Sequence, residues 1–226
     1  LENWCEIQAD RFKDMIIRGF HTELEAVYEE KNQTMDNDVT RVIDSLMHSL
    51  FPKYPYGTQT TIGTQEHLKN PSIVNIINHY KTWYVANNVA ICLAGDLNPE
   101  KTIALIEKYF GDMGTNDHLP VLKAPPLPPL NRIVETNVYG KQQEMTAVAW
   151  RMPGTASDEA HLVAILSDLL SNGQAGLLDQ EINLKLKALG TQVFHFDMVD
   201  YDLLATIVVP LQGQSLEEAR DLILEQ

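Results

Sequence analysis

Apolar residues recur at helical spacing through the first fifty positions. Trp4, Ile7, Phe12, Met15 and Ile16 mark one helix, and the same period predicts a second over residues 21–31 and a third over 37–50. Val39, Val42, Ile43, Leu46, Met47 and Leu50 form the expected buried stripe of the third. Pro52, Pro55 and Gly57 then break the pattern into a loop. Asn70-Pro71 predicts a cap followed by a first-turn proline, opening a helix whose apolar face carries Ile73, Ile76, Ile77 and Tyr80. The continuous apolar run over 89–94, ended by Gly95-Asp96, predicts a buried strand. Asn98-Pro99 repeats the cap-and-proline device and starts a helix through Tyr109.

Pro120, Pro125, Pro126, Pro128 and Pro129 can continue neither a helix nor a central strand, so they predict a stiff linker. Beyond it, strands are expected over 132–138 and 145–151, with a turn at 140–143. Helices are expected over 157–170 and 177–189, and strands over 191–198 and 203–209. Ser215, with Glu218 three residues on, is a capping box that starts a last helix. Strands joined by short turns beside helical pairs point to an α+β fold. The expected division is a first domain over 1–121, a proline-rich linker over 122–130 and a second α+β domain over 131–226.

Composition excludes several functions. Of 226 residues, 31 are acidic and 17 basic, a formal net charge of −14, and 44% are hydrophobic. That is core-forming material, and its charge argues against nucleic acid or an anionic membrane as partner. No apolar run approaches the roughly 18 residues of a transmembrane helix. Cys5 and Cys92 form neither a metal pattern nor a disulfide framework. The chain opens on Leu1 and stops at Gln226 inside an amphipathic pattern, so it is expected to be a piece of a longer protein.

The segment with chemical promise is Glu23-Leu24-Glu25-Ala26-Val27-Tyr28-Glu29-Glu30-Lys31. Glu23 and Glu30, seven apart, return to nearly one face of a helix, with Val27 between them. Acidic runs on helices are usually solvated. An apolar residue midway along an acidic stripe instead predicts an inward face, with one carboxylate on a metal and the other orienting a neighbour. Both readings stand on spacing alone.

The wider text adds to this. Residues 23–32 resemble the glutamate motif of the pitrilysin/insulin-degrading-enzyme family of zinc metallopeptidases, the inverted zincins, in which E-x-x-x-V-x-x-E supplies a zinc ligand from its final Glu. The resemblance continues through Phe51-Pro52-Lys53-Tyr54-Pro55-Tyr56-Gly57, residues 64–68, His79-Tyr80-Lys81-Thr82-Trp83-Tyr84, Asn87-Asn88 and Ala94-Gly95-Asp96. It implies the metallohydrolase fold of the mitochondrial-processing-peptidase type: two related domains of mostly antiparallel sheet packed with helices. It also implies Glu30 as the third Zn2+ ligand, Glu23 as the supporting carboxylate, and hydrolysis of peptides or unfolded polypeptides by a zinc-activated water. Partners implied are the missing N-terminal segment and a second homologous half or subunit. Analogy with bacterial relatives favours the periplasm or cell envelope.

The family signature H-x-x-E-H places two imidazoles one turn apart so that one helix grips the metal. None of the seven histidines, His21, His48, His67, His79, His118, His161 and His195, stands in that motif. In the family the motif precedes the glutamate helix by several dozen residues, so truncation is the expected reason. The chain by itself is expected to bind zinc weakly or not at all and to be catalytically incomplete. The rival reading is a non-catalytic family member acting as structural partner of an active subunit. Gly173-Gln174-Ala175-Gly176 lacks the setting of a phosphate loop and is read as a helix terminator.

Overall fold

The computed structural model describes residues 1–226. The chain divides into two compact units, Leu1–Lys31 with Ile62–Lys123, and Asn32–Thr61 with Ala124–Gln226.

The first unit is helical. Helix α1 (Glu2–Lys13) buries Cys5 and Ala9. Helix α2 (Phe20–Met35) begins in this unit, and α3 (Asp38–Leu50) and the short α4 (Pro55–Thr58) belong to the second; the first resumes with the short α5 (Gln65–Lys69), then α6 (Ile73–Trp83), and later α7 (Pro99–Phe110). Glu2 accepts hydrogen bonds from Lys108 at 2.8 Å and Tyr109 at 3.1 Å, and Lys13 pairs with Asp112, so the C-terminal end of α7 is tied to both ends of α1. Tyr80 Oη donates to Arg11 O at 2.8 Å, and the Tyr80 and Tyr84 rings stack at 4.5 Å. Asn98 caps α7 as expected, accepting from Lys101 N at 3.0 Å. For α6 the cap is Ser72, which accepts from Asn75 N, so Pro71 precedes the helix instead of opening it.

The strand expected over 89–94 does not join a ladder. Its backbone still follows the strand period, with Val89, Ile91 and Leu93 half-buried and Ala90, Cys92 and Ala94 exposed. No other strand lies in this unit to pair with it. For the same reason the expected apolar face of α6 is only partly covered, and Ile73 and Ile76 remain exposed.

The second unit is built on an antiparallel sheet of three strands in the order β1-β3-β2, where β1 is Thr146–Pro153, β2 is Gly190–His195 and β3 is Tyr201–Val209. Thr146 pairs with Val208 and Pro153 with Tyr201 on one side of β3; Gly190 pairs with Val209 and His195 with Leu204 on the other. Central β3 is buried from Asp202 to Val208. Side chains alternate across a strand, so its two faces feed two cores. Val208 packs with Leu178, Ile182, Ala188, Ala219 and Ile223 beside α9 (Leu216–Leu224). Leu203 and Ala205 pack with Leu50, Phe51 and Tyr54 at the end of α3. The α+β class and the antiparallel sheet agree with the sequence reading. Ser215 and Glu218 form the expected capping box of α9.

Two expected elements differ. Residues 132–138 form no strand, and Ile133 is 89% exposed. Polar groups of α3 take up this stretch instead: Ser45 Oγ lies 3.5 Å from Thr136 Oγ1, and Arg41 donates to Tyr139 O at 2.8 Å. Asp38 accepts from Lys141 N at 2.8 Å and Gln142 N at 2.6 Å. The helix expected over 177–189 shrinks to a π-turn over Asp179–Asn183 following α8 (Ala160–Leu170). Asn183 Oδ1 accepts from Thr191 N at 2.9 Å, and Leu186 enters the left-handed region at φ 52°, which ends helical continuation.

Candidate functional site

Helix α2 runs unbroken through the acidic segment, so Glu23 and Glu30 stand on one face, about 20° apart in projection. Val27 between them is half-buried, while both carboxylates are exposed, as are Glu25 and Glu29. The expected inward turn of this face is thus met by the valine and not by the acids. Lys31, next to Glu30, is 7% exposed.

The histidines are scattered. His48 Nδ1 lies 3.2 Å from Gly57 O. His67 takes part in the capping box of α5 with Thr64. His79 lies beside Trp83, with ring centroids 6.3 Å apart. Among the described residues, the one group of three or more metal-competent side chains that could share an ion is His195, Asp197 and Asp202, and Glu30 is not in it. Zinc of the kind the resemblance implies needs two imidazoles beside Glu30, and this chain does not bring them there. Glu30 fits as one donor, but the set as a whole does not fit.

The loop Phe51-Pro52-Lys53-Tyr54-Pro55-Tyr56-Gly57 is a packing element. Phe51 and Tyr54 are buried, and Phe51, Tyr54, Tyr56 and Tyr201 make edge-on or tilted ring contacts with centroids 5.1–6.4 Å apart. Gly57 is required: a Cβ there would run into the carbonyls of Met47 and Phe51. Arg151 reaches from β1 to the C-terminal carbonyl of α3, Leu50 O, donating through Nε at 3.1 Å and through Nη2, and its Nη1 reaches Pro128 O at 2.8 Å. Its guanidinium also lies over the Phe51 and Tyr201 rings.

Sequence reasoning passed over the buried carboxylates. Asp179 accepts from Ser171 Oγ, Asn172 N and Gly173 N, each at 2.9 Å, and from Asn183 Nδ2 at 3.1 Å. Burial pushes its carboxyl up, but those four donors outweigh burial and hold it below the ordinary value. The 171–176 turn is therefore organised by an aspartate rather than open to an anion. Asp202 Oδ1 accepts from Phe196 N and Leu203 N, both at 2.7 Å. The signal that would have found Asp202 is His195-Phe196-Asp197 followed by Asp202 across one hairpin turn.

Residues 74–226 match the family model described as the peptidase M16 inactive domain. The chain belongs to the peptidase M16 family. It is 25% identical over 187 residues to the zinc protease PqqE of Helicobacter pylori, a match covering 79% of this chain and 41% of that protein. Among solved structures, a protease from Helicobacter pylori aligns over 99% of this chain and 56% of its own, with a TM-score of 0.83 at 19% identity. The ferredoxin protease FusC, solved in complex with Arabidopsis ferredoxin, aligns over 99% and 26%, with a TM-score of 0.72 at 15% identity. The first half of the periplasmic protease PqqL from Escherichia coli aligns over 99% and 49%, with a TM-score of 0.66 at 15% identity. These likenesses establish the M16-type fold. The chain spans less than half the length of the curated relative it matches. No helix is long and apolar enough to cross a membrane. Glu23 and Glu30 lie ahead of the residues matched by the family model.

Proposed function

We propose that this chain is part of a zinc-dependent metalloendopeptidase that hydrolyses peptides or unfolded polypeptides. Glu30 serves as the third zinc ligand and Glu23 as the carboxylate supporting the site. Residues 1–121 are the latter part of the catalytic domain, 122–130 the linker, and 131–226 a related second domain. The observation that carries this reading is α2 in a peptidase M16 chain: an unbroken helix that keeps the two glutamates on one face and within reach of solvent. Zinc, when bound by the full ligand set, supplies an activated water for peptide hydrolysis. The chain alone is catalytically incomplete, because none of its histidines stands in H-x-x-E-H. Its partners are the segment carrying that motif and a second homologous half or subunit, and its substrates are polypeptides. The periplasm or cell envelope is the proposed compartment, supported by the periplasmic PqqL neighbour.

The description of the matched segment as an inactive domain favours a second reading, a non-catalytic M16 member that supports an active subunit. The test is zinc analysis and peptidase assay of the longer polypeptide, with and without Glu30→Gln. Chelator-sensitive hydrolysis lost in the variant together with its zinc supports the enzyme. A longer polypeptide without H-x-x-E-H, zinc or activity supports the structural partner.

A further inference from the structure

We propose that the turn joining β2 to β3 holds a divalent first-row transition cation through His195, Asp197 and Asp202. This site lies in the second unit, away from the glutamate helix in sequence and independent of any histidine outside the chain.

The donor-atom spacing comes first. His195 Nδ1 is 3.1 Å from Asp202 Oδ2 and 3.4 Å from Asp197 Oδ1. Two ligand atoms each about 2.1 Å from one ion stand about 3.0 Å apart at a right angle and about 3.4 Å apart at a tetrahedral one. Both imidazole–carboxylate separations are therefore those that a shared ion imposes, and the three donor atoms lie within 4.8 Å of one another.

The electrostatics point the same way. Asp202 is 3% exposed and Asp197 lies largely in solvent, and the ion-pair partner of each is His195 alone. With the imidazole neutral, two carboxylates, one buried and one 79% exposed, flank the ring, and neither is paired with Lys or Arg. A divalent cation at Nδ1, with the ring proton on Nε2, balances that charge. Asp202 is also preset for the task. Its Oδ1 is held by the amides of Phe196 and Leu203, which fixes the carboxylate and leaves Oδ2 directed at the imidazole.

The ligand class follows from the donors. One imidazole nitrogen and two carboxylate oxygens suit Zn2+ or Co2+ better than Mg2+, with water completing the coordination. The metal takes the Nδ1 lone pair and the ring keeps its one proton on Nε2. The site ties the end of β2 to the start of β3, so its occupancy stabilises the hairpin. It departs from the expectation that the chain alone binds zinc weakly or not at all, which considered only the glutamate helix.

The test is titration of the 226-residue chain with Zn2+ by calorimetry, and with Co2+ by visible absorption. The expected result is one equivalent per chain, a raised melting temperature, and no competition by Mg2+. Asp197→Asn, at a side chain 79% exposed, and His195→Gln should each weaken binding at least tenfold, with circular dichroism unchanged. Glu30→Gln should leave it intact, which separates this site from the proposed catalytic one. Absence of stoichiometric binding would overturn the proposal and leave an ordinary His–Asp hydrogen bond. So would binding indifferent to both hairpin variants, or binding lost in Glu30→Gln.

Discussion

The Tyr54 hydroxyl donates a 2.7 Å hydrogen bond to Asp200 Oδ2, joining the loop after α3 to the turn before β3 across 146 residues of sequence. Burial first, and the neighbouring Asp200 second, push the phenol above its ordinary range. A group whose proton is held more tightly in the folded state stabilises fully below its unfolded pKa, and that contribution is lost as pH rises beyond it. The second unit should therefore lose stability above about pH 10, where an unfolded tyrosine ionises. Tyr54→Phe should flatten that alkaline limb and cost roughly 1.5–3 kcal/mol near neutrality, the scale of a hydrogen bond to a charged group. Urea denaturation across pH reads both effects, and an unchanged alkaline limb would count against the assignment.

Asp179 gives the opposite sign. Its carboxyl is held low, so its contribution is present above the unfolded value near 3.9 and is lost as pH falls through the lower folded value. Asp179→Asn should weaken the acid dependence and destabilise by about 1–3 kcal/mol, since an amide cannot accept all four bonds. Faster amide exchange at Asn172 and Gly173 should accompany it. Unaltered exchange there would mean that the turn does not depend on this carboxylate.

Helices α1, α2, α3 and α7, the strands β1, β2 and β3 and the two capping residues Asn98 and Ser215 were legible because each announces itself locally, by period or by cap. Residues 132–138 and 89–94 were not. Their composition reads as strand, but pairing depends on a neighbouring edge, and a neighbour is not a local property. The π-turn at Asp179 escaped for a related reason, since its cause is a carboxylate turning back onto residues eight places earlier. At the candidate site, the shared face of Glu23 and Glu30 followed from spacing. Their exposure did not, because it depends on what packs beside the helix. The His195 group needed the hairpin register before its atoms could be seen to meet.

Gly140 sits against Asp38, and a Cβ on it would fall inside the carboxylate. Asp38 holds Lys141 N and Gln142 N, while its buried Oδ1 has no hydrogen-bond partner. Gly140→Ala should displace the 139–142 turn from the start of α3. The expected cost is about 1–3 kcal/mol, the range of overpacking in a tight site. Limited proteolysis should then cut near residues 139–142 sooner than in the parent chain. Equal cleavage rates would show that the turn can shift without loss.

The two glutamates of α2 should not be equivalent in the longer polypeptide. If Glu30 is the third zinc ligand, as proposed, Glu30→Gln removes that charged donor while keeping the side chain's shape, so zinc should be lost and peptidase activity should collapse. Glu23→Gln should cost on the order of 10–100-fold in metal affinity or activity, because a supporting carboxylate orients ligands without holding the ion itself. Glu25, two residues from Glu23 and so some 200° around the helix, serves as the control: Glu25→Gln should leave both zinc content and turnover unchanged. The ordering Glu30, then Glu23, then Glu25 is what one shared face demands. Three equal, negligible effects would return the whole segment to a solvated acidic helix, and a larger loss from Glu23→Gln than from Glu30→Gln would exchange the two roles.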